Sequence, residues 1–115
     1  MNDDELCFTP ATRLLELYGT GDVSSLEVTT AVLACIERLE PHLNGFVTLL
    51  QEGALQSARE ADAARARGDD RPLLGVPVTI KDLQMMQGVP CRSGSLITEG
   101  FVPDADAPFV ARLKA

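Results

Sequence analysis

One amphipathic helix is the feature that most constrains the fold of this chain. Ser24 and Glu27 stand three residues apart and form a capping box, in which each side chain binds a backbone amide of the other residue at a helix start. Apolar residues then recur at helical spacing: Val28, Ala31, Val32, Cys35, Ile36 and Leu39. The pattern predicts a helix that ends at Pro41, with Cys35 as a small core residue on its apolar face.

Three further helices are predicted around this one. Thr9 and the proline after it offer a cap and a first-turn proline for a short helix that ends at Gly19. An alanine-rich helix is predicted over residues 52–67, with Gly68 just past its end. Asp106 is the predicted cap of a last helix, in which three apolar residues share a face: Phe109, Val110 and Leu113. Because this helix is still running at Ala115, we expect a longer polypeptide.

Two short apolar stretches predict β-strands. Residues 46–50 combine aromatic, β-branched and aliphatic side chains after an Asn-Gly pair, and residues 76–80 form a second stretch of this kind. Residues 84–106 are punctuated by glycines and prolines and predict mostly loop, with a short extended piece near Leu96-Ile97. Loops of this length within compact domains are often functional. The predicted order is helices, strand, helix, strand, then loop and helix.

The chain is acidic, and most of the excess charge lies near the N-terminus. Seventeen acidic residues against ten basic residues give a net charge of −7, and residues 1–40 hold eight of the acids and two of the bases. A negative field repels phosphates, which argues against nucleic acid or an anionic membrane as a partner. The acidic start is unlike a secretory signal and no apolar run reaches membrane-spanning length, so we expect a cytoplasmic location.

The cysteines and the histidine predict neither a metal site nor a disulfide framework. Cys7, Cys35 and Cys91 are an odd number with wide spacing and no Cys-x-x-Cys pair. Cys7 and Cys91 have loop-like surroundings and are candidates for reactive thiols. His42 is the only histidine, so no second one completes a metal pair, and we interpret it as a surface residue in a turn.

Lys81 is the candidate catalytic residue. It emerges directly from the apolar stretch at 76–80, and apolar surroundings lower the pKa of a lysine because burial disfavours the ammonium form. To act as a general base near neutral pH, its pKa must fall by about 3 units from roughly 10.4, which corresponds to about 4 kcal/mol. The residue type and its position therefore fit a base, at a substantial energetic cost.

Asp82 decides whether Lys81 can play that role. A carboxylate paired with the amine would favour the ammonium form and oppose the fall in pKa. Because side chains alternate along a strand, Asp82 and Lys81 should face opposite sides, and we predict that Asp82 is tied to backbone or to an arginine. On spacing alone, the commoner arrangement is a solvated Lys81–Asp82 ion pair, worth under about 1 kcal/mol.

Ser93 and Ser95 are the only serines near Lys81 that could serve as a nucleophile within this chain. A Ser-Lys dyad is a known catalytic solution on other folds. Small polar residues also stabilise tight loops, and this turn chemistry is the favoured interpretation of both serines.

Several motifs, in order along the chain, resemble the amidase-signature family. The upstream half carries Ser24-Ser25-x-Glu27-Val28-Thr29, Leu43-Asn44-Gly45-Phe46-Val47 and an alanine-rich helix ending near Asp62-Ala63. The downstream half carries Leu74-Gly75-Val76-Pro77-Val78-Thr79-Ile80-Lys81-Asp82, Gly88-Val89-Pro90, Gly94-Ser95, Pro103, Asp106-Ala107 and Val110-x-Arg112-Leu113. The resemblance extends from Leu15 to the end of the chain without large gaps.

The resemblance implies a fold and a mechanism. The fold would be α/β: residues 1–115 would form a partial amidase domain, the N-terminal part of an α/β/α sandwich around a mixed sheet. The mechanism would be a cofactor-free Ser–cis-Ser–Lys triad in which Lys81 takes a proton through the bridging serine, so that the second serine attacks an amide carbonyl. In the family both serines and the oxyanion loop lie further along than Ala115, so we expect this chain alone to be inactive. The full-length enzyme would act on a small-molecule amide, and a homo-oligomer is one possible assembly.

Two other functions remain open from the sequence. One is a non-catalytic remnant or interaction module that binds a partner through an uncovered sheet edge and helix faces. The other is the amidotransferase subunit that amidates charged transfer RNA, which uses the same scaffold. Leu83 follows Lys81-Asp82 where that subfamily is expected to have asparagine, which favours a general amidase over this alternative.

Overall fold

Five α-helices and one 3₁₀ turn make up the regular structure of the chain. The computed structural model describes residues 1–115. The helices are α1 (Asp3–Cys7), α2 (Ala11–Thr20), α3 (Ser25–Leu43), α4 (Gln51–Ala66) and α5 (Pro108–Lys114), and the 3₁₀ turn is Leu96–Thr98. None of the helices has the length and apolar character needed to cross a lipid bilayer. The chain divides into two compact units, Met1–Pro77 and Val78–Ala115.

Helix α1 was not predicted from the sequence. It begins with a second capping box, in which the Glu5 amide donates to Asn2 Oδ1 at 2.9 Å and the Asn2 amide donates to Glu5 Oε2 at 2.9 Å. Only Leu6 is buried along its five residues. A helix this short buries a single apolar residue, so its sequence contains no helical repeat of apolar residues from which it could be predicted.

The boundaries predicted for α2 need correction. Thr9 is not its cap, because the Thr9 hydroxyl donates to the carbonyl of Glu5 at 2.6 Å and so closes the preceding helix. Helix α2 starts at Ala11 and does not end at Gly19. It continues to Thr20, and Gly21 takes the left-handed conformation at φ 77° that ends it.

The capping box predicted for α3 is confirmed. The Ser24 amide donates to Glu27 Oε2 at 2.8 Å, and the Glu27 amide donates to Ser24 Oγ at 3.1 Å. The predicted end at Pro41 is wrong, because the helix continues through this proline to Leu43. A proline costs the helix one backbone hydrogen bond. Asn44, left-handed at φ 48°, donates its amide to the carbonyl of Glu40 at 2.9 Å and closes the last turn.

The first three helices share one apolar core. Its buried residues are Leu6 from α1, Leu14 and Tyr18 from α2, and Val28 and Ala31 from α3. Cys35 is buried on the same helix, as predicted. His42 lies in the last turn of α3, where it is exposed, and not in a loop.

Helix α4 packs against α3 through small side chains. Its bounds agree with the predicted helix to within one residue, and its buried residues are Ala58, Ala61 and Ala64. Its Asp62 carboxylate reaches the start of α3, where it accepts hydrogen bonds from the amides of Ser25 at 2.7 Å and Leu26 at 3.0 Å. Together with the capping box, this carboxylate satisfies the first amides of α3, which have no partner within the helix.

The segment that follows α4 is fixed by two carbonyls. Tyr18 Oη donates to the carbonyl of Gly75 at 3.1 Å, and Arg65 Nη2 donates to the carbonyl of Leu74 at 2.5 Å. The Arg65 guanidinium lies over the Tyr18 ring, 5.1 Å from its centroid. Gly75 has φ 84°, and a Cβ at this position would lie 1.9 Å from Ser25 Oγ. Only glycine fits this conformation and this space.

The two predicted strands are not formed. Residues 46–50 and 76–80 have no strand assignment, and the described chain contains no β-strand, so the predicted mixed sheet is not confirmed. A strand is stabilised by hydrogen bonds to a neighbouring strand, and neither stretch has one here. Several of their apolar side chains are exposed: Val47, Leu49, Leu50 and Val78.

The unit Val78–Ala115 is held mainly by backbone hydrogen bonds between loops. The amide of Gly88 donates to the carbonyl of Pro103 at 3.0 Å, and that of Cys91 donates to the carbonyl of Phe101 at 3.1 Å. The prediction of mostly loop over residues 84–106 is confirmed, although residues 96–98 form a 3₁₀ turn in place of the expected extended piece.

Asp106 does not cap α5 as predicted. The N-cap is Ala107, and the Asp106 carboxylate accepts hydrogen bonds from Lys114 Nζ at 2.8 Å and from the Gln87 amide at 2.8 Å. Both bonds lower the pKa of Asp106, and the bond from Lys114 has the larger effect. Of the three apolar residues predicted to share a face of α5, only Val110 is buried.

Replacing Asp62 by alanine should destabilise the chain by about 2 kcal/mol, because two helix-start amides lose a charged acceptor. Urea unfolding followed by circular dichroism measures the change. Glu60→Ala is the matched control on α4, since Glu60 is exposed and accepts only from the side chain of Gln56. Its effect should stay below about 0.5 kcal/mol. Equal losses in the two variants would contradict the role given to Asp62.

Tyr18 should make the chain sensitive to alkaline pH. Burial raises the pKa of Tyr18 from 10.0 to about 12. Because the folded state favours the neutral phenol, this stabilisation is complete below pH 10 and is lost as the pH rises through 12, by about 2 to 3 kcal/mol in all.

Tyrosinate absorbance measures this directly, since Tyr18 is the only tyrosine and tryptophan is absent. The titration midpoint should lie clearly above 10 in the folded chain and return to about 10 in concentrated urea. The Tyr18→Phe variant should show a smaller loss of stability across the same pH range. An identical midpoint with and without urea would show that the phenol is not buried.

Candidate functional site

Lys81, the predicted catalytic residue, has an exposed side chain. Its backbone carbonyl accepts a hydrogen bond from the Gln84 amide at 2.9 Å, while its amine forms no hydrogen bond or ion pair. The apolar surroundings predicted for this amine are therefore absent in this chain. The physical reason is that residues 76–80 pair with no neighbouring strand, so Val78 and Thr79 are exposed as well.

Asp82 behaves as predicted. Its Oδ1 accepts a hydrogen bond from the backbone amide of Arg92 at 3.0 Å, and its carbonyl accepts one from the Ser93 amide at 2.9 Å. It forms no ion pair with Lys81, so the solvated Lys81–Asp82 pair that spacing alone favoured is absent. The carboxylate instead fixes the loop at residues 91–93, and the adjacent amine is left without a counter-ion.

Ser93 and Ser95 are used for turn geometry, as the favoured interpretation predicted. Ser95 Oγ accepts a hydrogen bond from the Ile97 amide at 3.2 Å and caps the 3₁₀ turn. Ser93 has a positive φ of 51°, and its Oγ lies 3.8 Å from Cys91 Sγ. Neither hydroxyl bonds to the Lys81 amine. The contact between nucleophile and base that a dyad requires is therefore missing.

The two cysteines predicted to be reactive are poor nucleophiles in this structure. Cys91 is only 4% exposed, and its thiol donates to the carbonyl of Asp82 at 3.8 Å. Cys7 ends helix α1 and does not lie in a loop, and burial, followed by a hydrogen bond with Cys35, raises its pKa to about 11. Because the thiolate is the attacking species, such a thiol reacts slowly near neutral pH.

Sequence reasoning missed the anchor that precedes this site. Tyr18 and Arg65 hold the carbonyls of Gly75 and Leu74, at the start of the segment that runs toward Lys81. Neither side chain belongs to the motifs around Lys81, and they lie far from it in sequence. The only hint of this contact in the sequence was Gly75. It stands just before an apolar run, where a glycine is not needed unless the backbone takes an unusual conformation.

Two open depressions of the chain lie away from Lys81. An open depression of about 560 Å³ is lined by residues of α1 and α3, including Asp4, Cys35 and Arg38. A second one of about 360 Å³ lies beside the end of α3, next to Leu49 and Gln51. Lys81 lines neither of these two depressions.

Comparison with known proteins identifies the relatives of the chain. A family model described as Amidase matches residues 27–115. Among curated proteins, the A subunit of glutamyl-tRNA(Gln) amidotransferase from Roseiflexus sp. (strain RS-1) is 48% identical over 95 residues, which are 83% of this chain and 20% of that protein. The protein of the same name from Geotalea daltonii is 47% identical over 94 residues, 82% of this chain and 19% of that protein. The chain thus spans about a fifth of the length of these relatives.

A solved structure shares the fold. It is described as an inhibitor-bound vestigial protein complex that reveals the evolutionary origins of an s-triazine catabolic enzyme. The match has a TM-score of 0.87 at 32% identity, and it covers 92% of this chain and 24% of that chain. The fold of this chain is therefore similar to one part of a larger solved structure.

Replacing Asp82 by alanine should free the loop that it holds. The amide of Arg92 loses its charged acceptor and should exchange its hydrogen about tenfold faster, or more. The Ser93 amide is an internal reference, because it donates to the backbone carbonyl of residue 82, which the substitution keeps. Hydrogen exchange followed by NMR resolves the two amides.

Asp104→Ala is the matched control for this experiment, since Asp104 is an exposed carboxylate in the same unit. It should leave exchange at Arg92 unchanged. If Asp82→Ala also leaves that rate unchanged, the carboxylate does not hold the loop.

Proposed function

The chain belongs to the amidase family, and we propose that it is the N-terminal portion of an enzyme that cleaves a carbon–nitrogen bond with Lys81 as general base. The observation that carries the proposal is the family match over residues 27–115, which includes the whole run from Leu74 to Asp82. It confirms the resemblance deduced from the motifs. The relatives are about five times longer, so the activity proposed belongs to a longer polypeptide.

The arrangement at Lys81 supports its role as base. The neighbouring carboxylate accepts a hydrogen bond from the Arg92 amide and forms no ion pair with the amine. In the proposed mechanism, a neutral Lys81 accepts a proton from a bridging serine, which accepts one from the nucleophilic serine as that oxygen attacks the amide carbonyl. The amine of the substrate leaves with a proton, and water or another amine resolves the acyl-enzyme. Both serines would come from outside this chain.

The exposed stretches support a sheet in the longer protein. Residues 46–50 and 76–80 carry apolar side chains that lack cover here, including Val47, Leu49 and Val78. We infer that these stretches become strands of an α/β/α sandwich when the remaining strands supply partners, and that residues 1–115 are one part of that domain. Apolar cover around residues 76–80 would then desolvate Lys81, as a base requires.

A subunit of an amidotransferase is the second candidate. It is favoured by the names of the relatives, since the proteins at 48% and 47% identity both carry the name of the glutamyl-tRNA(Gln) amidotransferase. Two sequence features point toward an amidase acting on a small amide: Leu83 directly after Asp82, and the acidic charge of residues 1–40. Both candidates use the same lysine. A cytoplasmic location and a homo-oligomer remain predictions.

Exchange of the matched segment tests the proposal. The corresponding segment of the Roseiflexus protein is replaced by that of this chain, and amidation of glutamyl-tRNA(Gln) is measured. The chimera should be active, and Lys81→Ala within it should lower kcat by about 10² to 10⁴-fold with little change in KM, because proton transfer acts in the transition state.

The matched control in the chimera is Lys114→Ala, which removes the only other lysine of this chain. Its amine pairs with Asp106, and kcat should stay near that of the unmutated chimera. The 115-residue chain alone should hydrolyse no amide above background. A chimera that stays active without Lys81 would overturn the proposed base. A folded but inactive chimera would favour a non-catalytic interaction module.

A further inference from the structure

Helix α1 is fixed on α3 by one apolar and one ionic contact. Leu6 is buried with Val28 and Ala31 in the shared core. Near the start of α1, Arg38 Nη2 donates to Asp4 Oδ1 at 2.5 Å. Along α1, Asp4 pairs with Arg38 of α3, while Leu6, two residues later, clusters with Val28 and Ala31, which come earlier in α3. The two helices are therefore antiparallel at this contact.

The same geometry brings two cysteines together. On a helix, residues three apart lie on one face, one turn from each other. Cys7 lies three residues after Asp4 on α1, and Cys35 lies three residues before Arg38 on α3. Since Asp4 and Arg38 are in contact and the helices run in opposite directions, Cys7 and Cys35 occupy the facing positions one turn further along.

The environment of the two thiols agrees with this placement. Cys35 is 7% exposed, and its Sγ accepts a hydrogen bond from Arg38 Nη2 at 3.8 Å, so it lies against the Asp4–Arg38 ion pair. Cys7 is partly exposed. A hydrogen bond with Cys35 is second only to burial among the causes that raise the pKa of Cys7. Both thiols therefore lie where α1 meets α3, with Cys7 on the solvent side.

We propose that Cys7 and Cys35 form a redox-sensitive pair, which a small-molecule disulfide converts into a cross-link between α1 and α3. One protein thiolate attacks the small disulfide and releases a small thiol, and the second protein thiol then displaces the other small thiol from the mixed disulfide. In total, two protein thiols and one small disulfide give one protein disulfide and two small thiols. The proposed amidase chemistry uses neither cysteine.

The cross-link would close a loop that contains α2 and the start of α3. Closing such a loop restricts the unfolded chain and stabilises the folded one. The short helix α1 gains most, because a single buried leucine and an exposed ion pair otherwise hold it. The reaction should be slow near neutral pH and faster at higher pH, since the Cys7 thiol must lose its proton to attack.

Oxidised glutathione is the probe for the experiment, applied to the 115-residue chain. The expected product has lost two hydrogens in mass, and peptide mapping joins Cys7 to Cys35. The oxidised chain should melt about 10 °C higher than the reduced chain. The Cys7→Ser variant should yield only a mixed disulfide with glutathione. Cys91→Ser, the matched control in the other unit, should form the cross-link as the unmutated chain does.

Comparison with the unfolded chain tests whether the fold brings the thiols together. In concentrated urea, the ratio of internal disulfide to mixed disulfide should fall at least about tenfold, because only the folded helices hold the sulfurs adjacent. The proposal is overturned if the folded chain gives only glutathione adducts. It is also overturned if a different pair of cysteines is joined, or if the ratio is the same in urea.

Discussion

The carboxylate of Asp62 at the start of α3 is the contact on which the helical unit depends. Helix α3 lies against both α1 and α4, and its first amides point toward the part of α4 that carries Asp62. A negative group at this position satisfies two backbone donors and also interacts favourably with the positive end of the helix dipole. The small side chains Ala58 and Ala61 let α4 come close enough for this contact. The packing of α4 against α3 and the capping of α3 by Asp62 therefore belong to the same contact between the two helices.

The same helical unit also binds the backbone at Leu74 and Gly75. Tyr18 from α2 and Arg65 from α4 bind successive carbonyls at Leu74 and Gly75, and Gly75 fits against Ser25 at the start of α3. Three helices thus converge on the first two residues of the run from Leu74 to Asp82. Because these bonds involve main-chain carbonyls, they constrain the path of the chain and not the identity of the side chains that follow.

Sequence reasoning succeeded where the determining partner is close along the chain. The capping box at Ser24 and the turn chemistry of Ser95 depend on residues within three positions, and both were predicted. It failed where the partner is distant, as for the Asp62 carboxylate, which binds amides 36 and 37 residues away. Asp106 resembled a helix cap locally, but its carboxylate binds Lys114 and the Gln87 amide. The predicted strands are not confirmed for the same reason, because a strand forms only when another strand pairs with it.

Lys81, the residue proposed as the base, shows how local and distant requirements divide at one position. Its immediate neighbourhood already meets one requirement of a base, because Asp82 is occupied by the Arg92 amide and forms no ion pair with it. The second requirement is desolvation, and it cannot be met locally, since the side chain is exposed and the residues before it have no strand partners. A local stretch of about ten residues can thus keep the Lys81 amine apart from the Asp82 carboxylate. Burial of the amine, in contrast, needs neighbouring strands from elsewhere in the chain. An amidase divided at this point would keep its lysine free of a counter-ion and still lack the apolar surroundings that make the amine a base.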